Sequence, residues 1–162
     1  MGLDIGPAVG TKAPDFTAPD EMMRPFHMLD ALQKGNLFVT FYPADFGMMC
    51  AVVMRTLKDM MDQFEAAGVQ LIAISTNTTY SHGYFKDTMH LQFPLLADVE
   101  GKVASLYGVL SGEEGYLKGR STRAVFLVDR SGIITYKWVA EDPAYEPNYD
   151  EMIAEALKIK GV

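Results

Sequence analysis

Strand-length apolar runs alternating with stretches of helical period constrain this chain more than any other feature of its sequence. "NLFVTFY", residues 36–42, and "VQLIAIST", residues 69–76, are apolar almost throughout. A strand reads this way when both faces of its sheet are covered. Between the two runs the period changes. Cys50, Val53, Met54, Leu57, Met60, Met61 and Phe64 follow the i, i+3, i+4, i+7 spacing of an amphipathic helix, which Ala66-Ala67-Gly68 closes with a glycine.

The rest of the chain continues the alternation. "SHGYFKDTM" predicts a short helix begun by Thr79 or Ser81, "FPLLAD" a short strand, and "EGKVASLYGV" a helix with Val103, Leu106 and Tyr107 on its apolar side. "RAVFLVD" and "IITYKWV" read as a hairpin that turns at Asp129-Arg130-Ser131-Gly132. "NYDEMIAEALKIKG" predicts a closing helix, capped by Asn148 or Asp150, with Met152, Ile153, Ala156, Leu157 and Ile159 inward. Ahead of residue 22, "GPAVGTKAPDFTAPD" reads as irregular lead-in, and "PFHML" after it as a short edge strand. This order implies an α/β fold with a central mixed β-sheet flanked by helices, parallel early and antiparallel at the hairpin. No repeat, low-complexity tract or charge block divides the 162 residues. A single domain over 1–162 is therefore expected, large enough to bury one core.

Composition excludes some partners. The apolar and charged fractions, 49% and 22%, are those of an ordinary globular chain. A net charge of −7 gains nothing from a phosphate backbone, so nucleic acid is not an expected partner. The longest apolar runs fall far short of the roughly 20 residues of a spanning helix. "MGLDIGPAVG" has neither the basic-then-apolar order of a secretory signal nor the Ser/Thr of a myristoylation signal. One cysteine forms no intrachain disulfide, which suits a reducing compartment. The expectation is a cytoplasmic protein with no membrane partner, in which the sequon Asn77-Thr78-Thr79 is a chance match.

Open α/β sheets hold ligands beyond the carboxyl ends of their parallel strands. That directs attention to "FYPADFGMMC", residues 41–50, which ends on the only cysteine. Cys50 falls within a residue or two of a helix start, where unpaired N–H groups and a partial positive charge favour thiolate over thiol. It also continues the apolar stripe through Val53 and Leu57, so packing alone would explain it. Arg123 precedes five apolar residues. If its strand pairs antiparallel with "NLFVTFY", the guanidinium comes beside Pro43 and near the thiolate, with a charge that cannot be lost. Otherwise it is a solvated strand-end arginine.

Taken together these segments resemble the peroxiredoxin family (alkyl hydroperoxide reductase/thiol-specific antioxidant). "GTKAPDFTAPD" is similar to the family's opening segment, and "FYPADFGMMC" to its Pro-x-x-x-Thr-x-x-Cys loop, matching at Pro43 and Cys50. "TRAVFLVDRSGII" resembles the strand that carries its active-site arginine, here Arg123, and the intervening segments keep the family's order. The resemblance implies a thioredoxin-like fold and a thiol-dependent peroxidase acting on hydrogen peroxide or organic hydroperoxides. Cys50 would attack the O–O bond and become a sulfenic acid, Pro43 would shield it, and Arg123 would polarise thiolate and peroxide. Gly47 and Met49 would lie against the substrate. No cofactor or metal is implied. With no second cysteine, an external thiol or another subunit's Cys50 must reduce the sulfenic acid, which is a one-cysteine mechanism. A homodimer or higher homo-oligomer is expected.

The sequence departs from the family at three positions. Gly47 stands where the family has Thr, Met48 where it commonly has Pro, and Val53 where many members have Glu. Losing a hydroxyl near developing charge can cost a few kcal/mol. The alternative function is therefore a peroxiredoxin-fold redox sensor or binding module with little or no turnover. Met48 and Met49 read as an apolar collar or dimer contact, or as soft donors with Cys50 for Cu(I). His27, His82 and His90 have no metal-ligand spacing and are expected to be structural. "GVLSGEEGYLKG" reads as a loop without a phosphate-binding signature.

Overall fold

The apolar run at 36–42 becomes the middle strand of a five-stranded sheet, buried along its whole length. The structure, a computed structural model, describes residues 2–112 and 114–161. In chain order the elements are β1 (Thr17–Pro19), β2 (Pro25–His27), α1 (Met28–Leu32), β3 (Asn36–Phe41), α2 (Met48–Asp59), α3 (Met61–Ala66) and β4 (Val69–Ser75). They continue with α4 (Thr79–Met89), β5 (Leu95–Ala97), α5 (Lys102–Leu106), β6 (Ala124–Val128), β7 (Ile134–Val139) and α6 (Tyr149–Lys158). The sheet order is β5-β4-β3-β6-β7. β3, β4 and β5 run parallel, and β6 pairs antiparallel with both β3 and β7. The mixed sheet expected from the sequence is the sheet observed.

Each face of the sheet carries its own apolar layer, because side chains along β3 alternate. Phe38 and Tyr42 enter one layer with Cys50, Val53, Met54 and Leu57 of α2, Phe64 of α3 and Met152 of α6. Leu37, Val39 and Phe41 enter the other with Phe16, Met28, Val103, Tyr107 and Phe126. Phe38 meets Phe64 edge-on at 5.7 Å, and Phe126 meets Tyr107 at 5.1 Å. Side chains of this size stabilise the fold by about 1.5–3 kcal/mol each when fully buried.

Several local readings change. The helix expected from Met49 to Ala67 is broken at Met60, whose ψ of 2° flattens the turn and whose N–H is shared between the carbonyls of Thr56 and Leu57. The apolar stripe survives the break, since Met60 and Phe64 remain buried. Leu106 is 53% exposed and Leu157 52% exposed, not inward. On α5 the buried positions are Val103 and Ala104, with Tyr107 just beyond it, and Leu106 lies off that narrow face. On α6, Met152 and Ala156 define the face, and Leu157 lies well around the helix from Met152. "PFHML" gives β2, which pairs with β1 in a separate two-stranded ribbon and not at the edge of the main sheet. The cap of α4 is Thr78, which accepts from the Ser81 N–H at 3.2 Å, one residue earlier than expected. Asn148 caps α6, as one of its two candidates. Among the described residues no helix is long and apolar enough to cross a membrane.

Candidate active site

Strand register brings the two nominated residues together. Phe41, the last residue of β3, pairs with Ala124, the first of β6. Arg123 therefore stands beside the chain as it leaves β3, and Ser121 Oγ fastens the same spot by donating to the Tyr42 carbonyl at 3.0 Å. On the other side Gly47 is the N-cap of α2, which puts Cys50 in the first helical turn. The first intrahelical bond runs from the Ala51 N–H to the Gly47 carbonyl at 2.8 Å. The N–H groups of Met48, Met49 and Cys50 precede it and have no intrahelical acceptor.

Arg123 Nη2 lies 3.6 Å from Cys50 Sγ, with both residues buried at 1% and 4% exposure. Arg123 is not a solvated strand-end arginine. Its Nε and Nη2 both donate to the Pro143 carbonyl, at 3.1 and 3.0 Å, which fixes the plane of the guanidinium. Nη1 is buried and has no partner among the described residues. An unsatisfied buried donor costs about 1–3 kcal/mol, and an oxygen arriving beside it removes that cost. The two readings of Cys50 prove compatible: it belongs to the packed layer of α2 and also lines a cleft.

That cleft has a volume of about 320 Å³. Pro43, Ala44, Gly47, Met49 and Cys50 form one side, and Tyr116, Leu117, Arg120, Arg123, Pro143 and Ala144 the other. All five residues singled out from the sequence, Cys50, Arg123, Pro43, Gly47 and Met49, meet there. Met48 does not: it is 89% exposed, so the adjacent methionines do not converge on the thiol as a soft-donor set. Gly47 has φ −63° and ψ 144°, ordinary extended backbone, and a Cβ added there would sit 3.4 Å from Cys50 Sγ. The contributions of Tyr116, Leu117 and Arg120 were not anticipated. Their only sequence signal is "YLKGR", an apolar and basic cluster at the end of a loop otherwise rich in Gly and Glu.

Behind the cleft, Asp45 anchors the loop. Its carboxylate accepts from Tyr42 Oη at 2.6 Å and Ser81 Oγ at 2.8 Å, and lies 2.8 Å from His82 Nδ1. His82 Nε2 donates to the Leu96 carbonyl at 2.9 Å, and the Asp45 N–H to Asn77 Oδ1 at 3.0 Å. The loop after β3 is thereby tied to β4, α4 and β5. His82 is structural, as expected, with its ring wholly buried. Burial pushes the Tyr42 phenol well above its usual pKa, and the nearby Asp45 charge adds to the shift. Phe46 occupies the left-handed region at φ +64°, an unfavourable conformation for a side chain of this kind. Its ring packs on Phe85 at 4.9 Å and faces Tyr84 at 5.8 Å.

Residues 9–137 match the AhpC/TSA family. Peroxiredoxin Q of Oryza sativa subsp. japonica is 33% identical over 150 residues, covering 93% of this chain and 65% of that protein. The putative peroxiredoxin bcp of Coxiella burnetii is 33% identical over 135 residues, covering 80% and 87%. The chain spans between 52% and 76% of the length of chloroplast two-cysteine peroxiredoxins that it also matches. Peroxidoxin BcpB of Mycobacterium tuberculosis superposes with a TM-score of 0.85 at 24% identity, over 94% of this chain and 98% of that one, which establishes the thioredoxin-like peroxiredoxin fold. By its sequence and by its fold, the chain belongs to the AhpC/TSA family, the peroxiredoxins.

Proposed function

We propose that the protein is a thiol-dependent peroxidase that reduces hydrogen peroxide or organic hydroperoxides at Cys50. The observation that carries this reading is the Arg123 guanidinium, 3.6 Å from Cys50 Sγ in a residue that lines the same cleft, with a buried Nη1 that has no partner among the described residues. In the first step the thiolate attacks one peroxide oxygen. An S–O bond forms as the O–O bond breaks, and the electron pair leaves on the second oxygen, which takes a proton and departs as water or alcohol. Arg123 and the first amides of α2 supply positive charge where negative charge moves, at no cost of reorganisation. Pro43 brings no N–H to that wall and excludes water from the sulfur. Gly47 and Met49 touch the substrate.

Cys50 is left as a sulfenic acid. An external thiol condenses with it, releasing water, and a second thiol frees Cys50 from the mixed disulfide. Cys50 of a second subunit is the alternative partner, in a homodimer or higher homo-oligomer acting in the cytoplasm. Stopped-flow measurement of Cys50 oxidation by hydrogen peroxide tests the reading. A rate far above that of a free thiol is expected; a rate no faster removes the enzyme. The second reading, a sensor or binding module with weak turnover, is favoured by one observation: Gly47 offers no hydroxyl beside Sγ.

A further inference from the structure

The cleft is much larger than the smallest peroxide requires. At about 320 Å³ it has room for on the order of ten water molecules at roughly 30 Å³ each, and hydrogen peroxide has two heavy atoms. Its walls away from the sulfur are largely apolar: Tyr116, Leu117, Met49 and Ala144. One cation stands among them. Arg120 lines the cleft and is partly buried, and its one side-chain hydrogen bond within the described residues runs from Nη1 to Thr76 Oγ1 at 3.3 Å. A guanidinium has five N–H donors, so most remain available. None of the ion pairs among the described residues includes Arg120.

Position fixes what Arg120 can do. Its backbone is held on both sides, the N–H donating to the Leu117 carbonyl and the carbonyl accepting from the Ser111 N–H, each at 2.8 Å. Arg123 holds the Pro143 carbonyl and faces the sulfur, and its Nη1, without a partner among the described residues, is the donor assigned to the peroxide oxygen. The described residues lining the cleft include two arginines and no carboxylate, and Asp45 is turned into its contacts with Tyr42 and His82. The chain as a whole carries −7 and repels anions at long range. A cationic cleft in an acidic protein is local selection for negative charge.

We propose that Arg120 is a specificity-determining residue that receives the carboxylate of an acidic organic hydroperoxide, whose hydrocarbon lies against Leu117 and Tyr116. This rests on the peroxidase reading and names the substrate class of the same site. Planar bidentate pairing with a carboxylate is the interaction a guanidinium makes best and an ammonium reproduces only in part.

The test uses one aryl-alkyl hydroperoxide in two forms, the free carboxylate and its methyl ester, and reads the second-order rate of Cys50 oxidation. The expected acid-to-ester ratio in the unaltered protein is roughly five- to tenfold at low salt, falling as salt is added. Arg120→Gln brings the ratio to about one or below, Arg120→Lys keeps part of it, and Arg130→Gln, remote from the cleft, leaves it unchanged. Equal rates for acid and ester, or a preference that persists in Arg120→Gln, overturn the proposal while the peroxidase reading stands. So does an Arg120→Gln defect confined to reduction of the sulfenic acid by an acidic thiol. Failure of hydrogen peroxide to oxidise Cys50 in any variant overturns the peroxidase reading, and this one with it.

Discussion

Asp45 and His82 meet at 2.8 Å, both shut off from solvent, thirty-seven residues apart in sequence. The pair joins the loop that carries Pro43 to the first turn of α4, and Tyr42, Ser81 and Asn77 complete its hydrogen bonds. Removing one partner of such a buried pair leaves the other uncompensated and costs about 3–5 kcal/mol. Asp45→Ala should therefore lower stability by that order in urea unfolding. On the protein that remains folded, Cys50 oxidation should slow, because the wall bearing Pro43 and Gly47 loses its anchor. An Asp45→Ala protein as stable as the unaltered one would mean that the pair does not hold the loop.

Tyr42 makes this anchor sensitive to alkali. Burial, with Asp45 adding, raises its folded pKa well above 10.0, whereas in the unfolded chain it titrates near that value. The folded state thus holds the proton more tightly. The stability linked to Tyr42 is complete below about pH 10 and is lost as pH rises from there toward the folded pKa. Burial raises Tyr107, Tyr136 and Tyr149 in the same direction. The urea midpoint should change little between pH 8 and 9.5 and fall beyond that, and Tyr42→Phe should show a lower midpoint at pH 8 with a shallower alkaline fall. A midpoint that rises above pH 10 would contradict this.

Much of this was legible in the sequence, for reasons that can be named. Runs such as "NLFVTFY" and "RAVFLVD" leave few options but central strands, and pairing them antiparallel places Arg123 beside the end of β3, as observed. Cys50 was legible as a helix-start residue because the period changes there. Arg120 and the Asp45–His82 pair were not. Arg120 reaches the cleft through the path of an irregular loop, which no periodicity encodes. Asp45 and His82 come together only once β4 and α4 have packed, and a lone Asp in a turn reads as solvated. Leu106 and Leu157 mark the other limit, since an apolar residue on a short helix does not reveal which side of the stripe it borders.

Arg123→Ala should slow peroxide reduction by about 10²–10³-fold, the scale of removing one preorganised donor from developing charge. It should also cost about 1–3 kcal/mol of stability, because the Pro143 carbonyl loses both of its guanidinium donors. Rates are therefore to be read on protein shown to be folded. Arg123→Lys should recover only part of the rate, since a point charge cannot hold Pro143 and face the sulfur at once. Wild-type kinetics in Arg123→Ala would remove the residue from the chemistry.

With one equivalent of peroxide and no added thiol, intact mass should show Cys50 carrying one oxygen, and a second equivalent should add another as the sulfinic acid forms. Any disulfide must join two chains, because Cys50 is the only cysteine. Cys50 is 4% exposed, so such a bond requires the first turn of α2 to open. Asp45→Ala, which loosens the loop, should raise the disulfide-linked fraction over the sulfinic one. Recovery of unmodified thiol after one equivalent would contradict the one-cysteine chemistry.

Gly47 offers the sharpest test of the site. It caps α2 without a side chain, its φ of −63° is open to any residue, and an added Cβ would meet Cys50 Sγ at 3.4 Å and the Ala44 carbonyl at 3.5 Å, both ordinary contacts. The β-carbon that threonine requires at 47 is therefore accommodated. The threonine hydroxyl would stand beside the sulfur, where a peroxide oxygen must arrive, and could also accept from an open N–H in the first turn of α2. Two effects should follow from Gly47→Thr. Stability should rise by about 0.5–1 kcal/mol, because the unfolded chain loses freedom and the helix gains a cap, visible as a higher urea midpoint. Oxidation of Cys50 by hydrogen peroxide should quicken at least several-fold, because the peroxide gains a fixed hydrogen-bonding partner. Bulky organic hydroperoxides should gain less, since the same side chain takes space from the cleft beside Met49. A variant that is more stable but no faster with hydrogen peroxide would separate the capping effect from the chemistry. It would mean that Arg123 and the amides of α2 hold the peroxide without a hydroxyl at position 47.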